Sequence, residues 1–509
     1  MKTTMSPDRP RSPALCYYRR HWAWLKAVIG ATVITVMLGT WITSISESPI
    51  KGDEWGTLNM GFNIAARGVF SKTNPDVDSD LEFAPTNYRE PVPPFLLACW
   101  IKLLSAVRGP LSYEFLKDGP GVRLTKLPNI IWGLILCASV FTALMAVTHR
   151  YVIAVFGTVI VGLTLHVDTL LTEPAAAALL ALTSVLCLMS IRSGKRTYYF
   201  LSGLSFGLLI LTKAIFFYIA LALVGLMSAI LAVQWLRDVD IRAGVTGVLA
   251  LVLGTAIIIG PWMVRNLYYF DSLKITPRSG LVLLLRARYD QMNWTEFRGT
   301  FYVWAPNMKL KQLVGDYLGF NEADLKKGGR LQRLVETQSD FRNEDIAAEE
   351  AGLPEAAITY YFRARAERVK VTRDLEQKGF LNPQMAADTE LRKRAFDVIL
   401  NNPFKHTIMV VPFIYRAALL IAPILVLFTI LAVWWRRLDL VAYALPAFAM
   451  VALHAVASHN EPRYNAPAGP IAIVCAILLA WQLVLWLRKD KLETRKRQSQ
   501  DSGEVSRPG

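Results

Sequence analysis

Two adjacent acids, Asp53 and Glu54, lie in a short polar stretch between two apolar segments near the N-terminus. Another charged pair, Arg89 and Glu90, stands where the chain enters the next apolar run. Carboxylates at the mouth of a membrane segment are expensive to desolvate, so they usually face a water-filled cavity. A carboxylate in such a cavity can take the proton from a hydroxyl nucleophile. The spacing therefore predicts a catalytic site at a membrane surface, with Asp53, Glu54 and Glu90 as its acids.

Further polar residues stand at the ends of apolar segments. They are His166, Asp168 and Glu173, then Lys213 and Arg265, then His459, Glu461, Arg463 and Tyr464. Lys213 lies within an apolar stretch, where a bare charge is costly, and this favours a functional role. Arg265 and Arg463 could instead extend their charges to the lipid interface. Acids and bases that meet at one membrane face could hold an anionic head group and activate a nucleophile.

For several of these residues a structural role competes with a functional one. The early Asp-Glu pair could belong to a loop or form the N-cap of a helix. His166 and Asp168 have no spacing that points to chemistry, which favours a structural role. His459 and Glu461 stand two residues apart and could supply two metal ligands on an extended segment. This pattern is weak; it leaves a divalent metal open, and no other cofactor is indicated.

The composition is that of a membrane protein. The chain has 509 residues, of which 53% are hydrophobic, and the apolar residues collect into runs of about 20, the length that crosses a bilayer. The formal charge of +16 is concentrated in the N-terminal arm, short loops and the C-terminal tail, which is typical of cytoplasmic segments and argues against a nucleic-acid partner. The five cysteines have no CxxC spacing and are interpreted as small apolar residues.

The chain divides into two membrane blocks and a polar segment between them. Residues 1–21 form a basic cytoplasmic arm, 22–266 a transmembrane module with a catalytic loop at 46–90, and 406–487 a second set of transmembrane helices. Residues 267–405 carry mixed charges in helical patterns, which predicts a mostly helical extracytoplasmic domain. Residues 488–509 predict a disordered basic cytoplasmic tail. The predicted fold is all-α, a polytopic transmembrane helical bundle of about 10–11 spans.

The charge distribution and the number of apolar segments disagree about topology. The charge rule places Arg192–Arg196 inside and residues 267–405 outside. If every apolar segment between residues 90 and 267 crossed the membrane, residues 267–405 would lie inside. One segment must therefore fail to cross. The two candidates are the short Pro-flanked run after Glu90 and the stretch 198–236, which we expect to break near Thr212 and Lys213.

The order of these motifs resembles that of the glycosyltransferase C superfamily, within its protein O-mannosyltransferase and lipid A aminoarabinose transferase branch. The matching motifs are Asp53-Glu54, Tyr88-Arg89-Glu90-Pro91-Val92-Pro93-Pro94, Thr172-Glu173-Pro174, Gly207-Leu208 with Leu211-Thr212-Lys213, Pro261-Trp262 with Arg265-Asn266, and Arg463-Tyr464 with Pro467 and Pro470. No single motif is specific, but six in the family's order are difficult to obtain by chance. The chain departs from the family at residues 267–405, which leaves the acceptor open.

The resemblance implies an inverting transferase that moves a sugar from a polyprenyl-phosphate carrier to an acceptor hydroxyl on the outer face of the membrane. It implies Asp53 as the general base, with Glu54 and Glu90 beside it. The substrate-binding residues that it implies are Arg89, Glu173, Lys213, Arg265, Arg463 and Tyr464. The acceptor would be a glycan, a lipid or a protein. The expected location is the bacterial plasma membrane, with membrane lipids around the chain and the active site facing the periplasm.

Three other functions compete with this one. A transporter or flippase of polyprenyl-linked glycans also needs cations within the membrane, and inverted repeats or broken helices would favour it. A glycan polymerase with a large outer loop would use arginine-rich outer segments but has no need for the early acidic pair. A membrane scaffold explains the hydrophobic content but not the six ordered motifs.

Overall fold

The computed structural model describes residues 13–76, 83–336, 339–353 and 358–504. Every regular element within these ranges is a helix, and 77% of the structure is helical. The predicted all-α class is therefore confirmed. Residues 1–12 of the basic arm and residues 77–82 of the predicted catalytic loop lie outside the described residues.

Up to residue 270, the described residues form eleven helices. They are α1 (Pro13–Ser44), α2 (Asp53–Arg67), α3 (Val92–Arg108), α4 (Tyr113–Lys117), α5 (Val122–Lys126), α6 (Asn129–Thr148), α7 (Tyr151–Thr164), α8 (Glu173–Ser193), α9 (Arg196–Ile210), α10 (Ile215–Trp235) and α11 (Arg242–Phe270). Local sequence fixes several of their ends. Pro174 lies in the first turn of α8, where its missing N–H costs nothing, and Gly194 ends that helix in a left-handed conformation with φ 64°.

The polar segment in the middle of the chain is also helical. It contains α12 (Ser279–Tyr289), α13 (Trp294–Val303), α14 (Met308–Leu318), α15 (Ser339–Ala351), α16 (Tyr360–Gln377) and α17 (Pro383–Asn401), with short 3₁₀ helices at Glu322–Leu325 and Gln332–Leu334. A small apolar core joins α12, α16 and α17, with Leu284, Ala364 and Leu391 at its centre. The helical character predicted for residues 267–405 is therefore present.

The C-terminal part returns to apolar helices. They are α18 (Pro403–Ile408), α19 (Val410–Ala418), α20 (Ile421–Trp434), α21 (Leu438–Ala457), α22 (Pro462–Asn465) and α23 (Gly469–Glu504), with a 3₁₀ turn at Ala466–Ala468. The last helix runs to Glu504, whereas the sequence predicted a disordered tail from residue 488. Lys, Arg, Glu and Gln are good helix formers, so a charged tail can continue a helix that a membrane span has already nucleated. Residues 505–509 lie outside the described residues.

Within the described ranges, seven helices are long and apolar enough to cross a membrane. They are Trp24–Ser44, Val122–Thr148, Glu173–Ser193, Ile215–Trp235, Arg242–Phe270, Leu438–Ala457 and Pro462–Arg488. The chain bends by 108° between Pro403–Ala418 and Ile421–Trp434. This bent pair would make an eighth span if it crosses the membrane as one unit. The chain thus fits a polytopic membrane protein, and the seven or eight candidate spans among the described residues are fewer than the about 10–11 that the sequence predicted.

The difference arises because three apolar runs form helices shorter than the ~20 residues that cross a bilayer. The helix α3 has 17 residues, α7 has 14 and α9 has 15. Of these, α3 and α9 belong to the two stretches that the topology conflict had singled out. The helix breaks between α9 and α10, at residues 211–214, as Thr212 and Lys213 predicted.

Small residues let the membrane helices approach one another closely. The helix α8 is the most deeply buried of the candidate spans, and four consecutive alanines, Ala175 to Ala178, lie near its N-terminus. In the pair α9 and α11, a Cβ on Gly203 would overlap the backbone of Leu251, and the hydroxyl of Thr255 donates to the Gly203 carbonyl oxygen at 3.1 Å. Such close packing replaces the hydrophobic driving force that is absent between helices in lipid.

Hydrogen bonds from a buried arginine attach the middle segment to the C-terminal helices. Arg286 of α12 is fully buried, and its Nη1 lies 2.5 Å from Asp290 Oδ1. Its other donors reach the carbonyl oxygen of His406 at 2.8 Å and that of Ala455 at 3.1 Å. A buried guanidinium is tolerated only when its donors are satisfied, so these contacts fix where α12 lies on α18 and α21.

Candidate functional site

Asp53 is the point where three distant parts of the chain meet. It is the first residue of α2, and Gly52 introduces this helix with a left-handed backbone at φ 57°. Arg89, in the loop before α3, donates from Nη2 to Asp53 Oδ1 at 3.1 Å. Arg463, in α22, donates from Nη1 to Asp53 Oδ2 at 2.6 Å across 410 residues of sequence. The fold therefore brings together the first and the last of the motifs that the sequence singled out.

The Asp53 carboxylate stays accessible although both of its oxygens are paired. Its side chain is 45% exposed. Partial burial acts to raise the pKa of Asp53, but the hydrogen bond from Arg463 and the charges of Arg463, Arg89 and Arg278 hold that pKa below its usual range. Asp53 is therefore a carboxylate at neutral pH. It is a weak proton acceptor for as long as both arginines remain bound to it.

The position of Arg89 depends on a glycine in α2. A Cβ on Gly56 would lie 2.5 Å from Arg89 Nε and 2.9 Å from Arg89 Cζ. Because Gly56 carries no side chain, the guanidinium can lie directly against α2, one turn after Asp53. The glycine thus creates the space through which Arg89 reaches Asp53.

Glu54 has a different environment from its neighbour. Its Oε1 accepts a hydrogen bond from Thr169 Oγ1 and another from the backbone N–H of Leu170 at 3.0 Å. These contacts hold the loop between α7 and α8 against the first turn of α2. Glu54 therefore positions the start of the helix that carries Asp53.

Glu90, predicted as one of the catalytic acids, caps a helix. Its Oε1 accepts a hydrogen bond from the backbone N–H of Ala214, the N-cap residue of α10, at 3.0 Å. Two residues later, the N–H of Val92 donates to the carbonyl oxygen of Leu211 at 3.1 Å. A carboxylate is favourable at a helix N-terminus because the first N–H groups are unpaired and the helix dipole is positive there. Glu90 thus joins the start of α3 to the break between α9 and α10.

Lys213 and Glu173 form a second ion pair close to Tyr464. Lys213 Nζ lies 3.3 Å from Glu173 Oε1, and both side chains are largely buried. The ammonium is also 5.6 Å from the centre of the Tyr464 ring. The guanidinium of Arg463 lies 5.5 Å from the centre of the same ring, so both cations contact Tyr464. The break after α9 and the start of α8 therefore place a lysine beside the Asp53 cluster.

Glu461 orients Arg463. One of its carboxylate oxygens accepts a hydrogen bond from Arg463 Nε at 2.8 Å, and the other lies 3.1 Å from His459 Nε2. Burial acts to raise the pKa of Glu461, but His459, Arg463 and Arg416 lower it to about 2. The Tyr464 hydroxyl lies 3.4 Å from the same nitrogen of His459. The segment from 459 to 464 is thus one connected network that ends at Asp53.

The sequence had left a metal site open at His459 and Glu461, and these two side chains contact each other. Within the described ranges, no group of three or more His, Cys, Asp or Glu side chains is close enough to hold a metal ion. Asp168 Oδ1 accepts from the buried Lys126 Nζ at 2.7 Å, and also from the Ser46 N–H, which joins two loops. Asp168 thus has the structural role that the sequence favoured, and His166 is exposed.

Arg265 lies apart from the Asp53 cluster. Its guanidinium is 4.5 Å from the centre of the Trp262 ring and is also near the rings of Phe70, Tyr269 and Phe270. Its hydrogen bond is to the amide oxygen of the neighbouring Asn266 at 2.9 Å. Among the described residues, no carboxylate lies within 4.0 Å of Arg265. Arg265 is therefore the one predicted site residue that we find among aromatic rings and not in the polar contacts around Asp53.

Two further residues belong to the site and were not predicted, Tyr88 and Arg278. The Arg278 guanidinium lies 5.2 Å from the centre of the Tyr88 ring. Burial acts to lower the pKa of Arg278, but Tyr88, Glu90, Tyr464 and Asp53 raise it. Tyr88 stands within a motif that the sequence singled out. Arg278 lies just inside the segment interpreted as a separate domain, so nothing in the sequence placed it near Asp53.

No protein-family model matches this chain, and no curated protein matches it. The features of the chain that point to a function are the six ordered motifs and the geometry of their side chains. That geometry joins Asp53, Arg89 and Arg463 directly, and it adds Lys213 and Glu173 through Tyr464.

Proposed function

We propose that this chain is an inverting membrane glycosyltransferase that moves a sugar from a polyprenyl-phosphate carrier to an acceptor hydroxyl. The observation that supports this most is the accessible Asp53 carboxylate between the guanidinium groups of Arg89 and Arg463. A proton acceptor and two fixed cations within one small site are what displacement of a phosphate by a hydroxyl requires. A membrane scaffold has no use for them.

The chemistry assigns a separate task to each charge. The acceptor oxygen attacks the anomeric carbon of the sugar, its proton passes to the Asp53 carboxylate, and the bond from the anomeric carbon to the phosphate oxygen breaks. The electron pair of that bond leaves with the phosphate, which is stable as an anion and needs no general acid. Arg463 and Arg89 stabilise the charge that develops on the phosphate. Attack from the side opposite the phosphate inverts the anomeric configuration.

Donor binding would also activate the base. In the empty site both arginines are paired with Asp53, which keeps its pKa low. A donor phosphate is a stronger bidentate partner for a guanidinium than a single carboxylate oxygen, so it competes for Arg463 and Arg89. Once these cations turn to the phosphate, the pKa of Asp53 rises and the carboxylate becomes a better base. The donor thereby prepares the site for the acceptor.

The other predicted residues are assigned supporting tasks. Lys213, paired with Glu173 and next to Tyr464, adds positive charge beside Arg463 and Tyr464. Arg265 with its aromatic neighbours would meet the carrier where its lipid tail leaves the head group. Basic arms, short loops and tails are typical of cytoplasmic segments, and on this ground we assign the site to the extracytoplasmic face of a plasma membrane. Residues 267–405 would then be an extracytoplasmic domain that covers this face.

A transfer assay with the purified full-length chain tests this function. A panel of polyprenyl-phosphate sugars is offered with glycan, lipid and protein acceptors, and the anomeric configuration of any product is determined. Transfer of a sugar with inversion supports the proposal. Transfer with retention, or no transfer from any donor in the panel, would contradict it.

One observation favours a second function, translocation of a polyprenyl-linked glycan. The chain bends by 108° between the helical parts Pro403–Ala418 and Ile421–Trp434. Broken helices of this kind occur in transporters. The break itself consists of Leu419 and Leu420, which offer no charge or side-chain hydrogen bond to a substrate. Movement of a labelled carrier lipid across vesicles that contain this chain, without any transfer to an acceptor, would select this alternative.

A further inference from the structure

A second charged feature, which we call the arginine cleft, lies in the middle helical segment. It is formed along one face of α16 by Arg365, Arg368, Val369 and Arg373, and it is bordered by Arg342 of α15. These positions on α16 follow a spacing of three and four residues, which places them on the same side of the helix. The cleft continues on both sides of α16, with volumes of about 380 Å³ and about 510 Å³.

Three arginines of the cleft are not paired with any carboxylate in the part of the chain that the structure describes. Among the described residues, Arg342, Arg368 and Arg373 have no carboxylate oxygen within 4.0 Å of their guanidinium groups. Arg373 donates to the backbone carbonyl oxygen of Glu350 at 3.0 Å, a contact that orients it without neutralising it. Among the described residues that line the cleft, the acids are Glu350 and Glu376. Closely spaced guanidinium groups repel one another, so such a set is favourable mainly when an anion binds between them.

The arginine cleft is connected to the Asp53 site. Arg368 Nη1 lies 3.4 Å from the hydroxyl oxygen of Tyr88, and Arg278 lies over the same ring. Tyr88 immediately precedes Arg89, which binds Asp53. Lys72 lies 4.6 Å from the centre of the Tyr88 ring, so three cations surround this tyrosine between the cleft and the catalytic carboxylate.

From this arrangement we propose that the acceptor is polyanionic and that the arginine cleft binds its phosphate or carboxylate groups. This inference rests on the proposed transferase function, because it assigns a place to the molecule that receives the sugar. Guanidinium groups bind both kinds of oxyanion through paired hydrogen bonds. With its anionic part in the cleft, the acceptor would extend past Tyr88 and present a hydroxyl to Asp53. The middle helical segment is therefore the part of the chain that selects the acceptor.

Binding of anions can be measured without any sugar transfer. The full-length chain in nanodiscs is titrated with inorganic tripolyphosphate, a short oligogalacturonate and, as a neutral probe, a malto-oligosaccharide of equal length, all in the absence of donor. The double variant Arg368→Gln/Arg373→Gln is compared with Arg298→Gln/Lys309→Gln, which removes two exposed charges elsewhere in the same segment. We expect the cleft variant to bind the anions at least ~10-fold more weakly, and the control variant to bind them like the wild type.

The two anionic probes distinguish the chemical source of the charge. Preference for tripolyphosphate assigns a phosphate-bearing acceptor, and preference for oligogalacturonate assigns a carboxylate-bearing one. Equal binding of anions by wild type, cleft variant and control variant would overturn the inference, whatever the transfer assay gives. Anion binding is measured without donor and sugar transfer with it, so loss of transfer and loss of cleft binding are separate outcomes.

A second variant keeps the test informative if removal of two arginines prevents folding. Thr372 lies on the same face of α16 and lines the cleft. Thr372→Glu leaves every arginine in place and adds a negative charge among them. We expect this variant to weaken tripolyphosphate binding while the affinity for the neutral probe stays the same. Unchanged tripolyphosphate binding in a folded Thr372→Glu chain would contradict the proposal.

Discussion

Asp53 illustrates what the surroundings add to a residue type. In the sequence, the Asp-Glu pair could equally have been a loop or a helix N-cap, and Asp53 does begin α2. The structure separates the two neighbours, because Glu54 accepts hydrogen bonds from the loop before α8 while Asp53 faces Arg89 and Arg463. Two acids that are adjacent in sequence thus have different tasks, and only contacts between distant residues could distinguish them.

The phenol of Tyr88 should lose its proton at a lower pH than an ordinary tyrosine. Burial acts to raise its pKa, but the charges of Arg278, Arg368 and Lys72, with the hydrogen bond from Arg368, lower the pKa of Tyr88 to about 8. The ultraviolet phenolate absorbance of the wild type is therefore expected to contain a component with a midpoint near pH 8. This component should be absent from Tyr88→Phe and present in Tyr317→Phe, which removes an exposed phenol elsewhere.

The same shift predicts how stability changes with pH. Because the pKa of Tyr88 is lower in the folded than in the unfolded chain, its phenolate stabilises the fold fully above the ordinary pKa near 10. That contribution is lost as the pH falls through about 8. The difference in unfolding midpoint between wild type and Tyr88→Phe should therefore grow from pH 8 to pH 10. A constant difference over this range, or identical phenolate titrations, would contradict the cation cluster around Tyr88.

At the scale of single elements, Glu90 decides how α10 begins. Replacement of Glu90 by Ala removes the acceptor for the Ala214 N–H and should destabilise the chain by about 0.5–2 kcal/mol. Glu90→Gln retains an oxygen acceptor and should lose only part of this stability, with measurable transfer remaining. Unfolding midpoints and transfer rates of the two variants separate a cap from a catalytic acid. A fully stable but inactive Glu90→Gln chain would show that the carboxylate takes part in the chemistry.

The contact between α9 and α11 depends on Gly203. A methyl group there would overlap the backbone of Leu251, which a side-chain movement cannot relieve. Gly203→Ala is therefore expected to lower stability by about 1–3 kcal/mol, measured as a lower unfolding midpoint in detergent. Gly225→Ala in α10 is the matched control, because no atom lies within 4 Å of the added methyl group. Equal midpoints for the two variants would rule out close packing at Gly203.

The sequence predicted some elements well because their signals are local. The stretch 198–236 contains Thr212 and Lys213 within an apolar run, and this predicted the break between α9 and α10. Fewer helices of spanning length are found among the described residues than the sequence predicted, because apolar composition alone does not fix where a helix ends. Pro91 begins α3 and Gly109 ends it after 17 residues, and hydropathy does not report such caps.

At the scale of the whole molecule, Arg286 holds the middle segment in place. Arg286→Met would remove the partner of a buried Asp290 and leave two carbonyl oxygens, of Ala455 and His406, without this donor. We expect a loss of about 3–5 kcal/mol in stability, the cost of breaking a buried ion pair. Arg298→Met, on the exposed surface of α13, should change the unfolding midpoint little. A midpoint for Arg286→Met equal to that of Arg298→Met would contradict this role.

The candidate site shows where prediction from sequence ended. The order of the motifs indicated Asp53 and Arg463 as members of one site, but their contact across 410 residues depends on the packing of helices that the sequence does not specify. Arg278 was missed because it belongs to a segment that looked like a separate domain. Arg265 was included on its motif, although its surroundings are aromatic rings. Long-range packing, and not residue type, therefore decides which of these residues lie near Asp53.

The central claim is that Asp53 is the base of a sugar transfer, and a single-turnover rate tests it most directly. Transfer by Asp53→Asn is compared with transfer by Asp271→Asn, a change at an exposed left-handed position that Asn tolerates well. Donor binding and the unfolding midpoint are measured for both variants. We predict that Asp53→Asn transfers the sugar at least ~100-fold more slowly than wild type, while donor binding and folding are retained and the control is unaffected. Wild-type transfer rates in a folded Asp53→Asn chain would contradict this account.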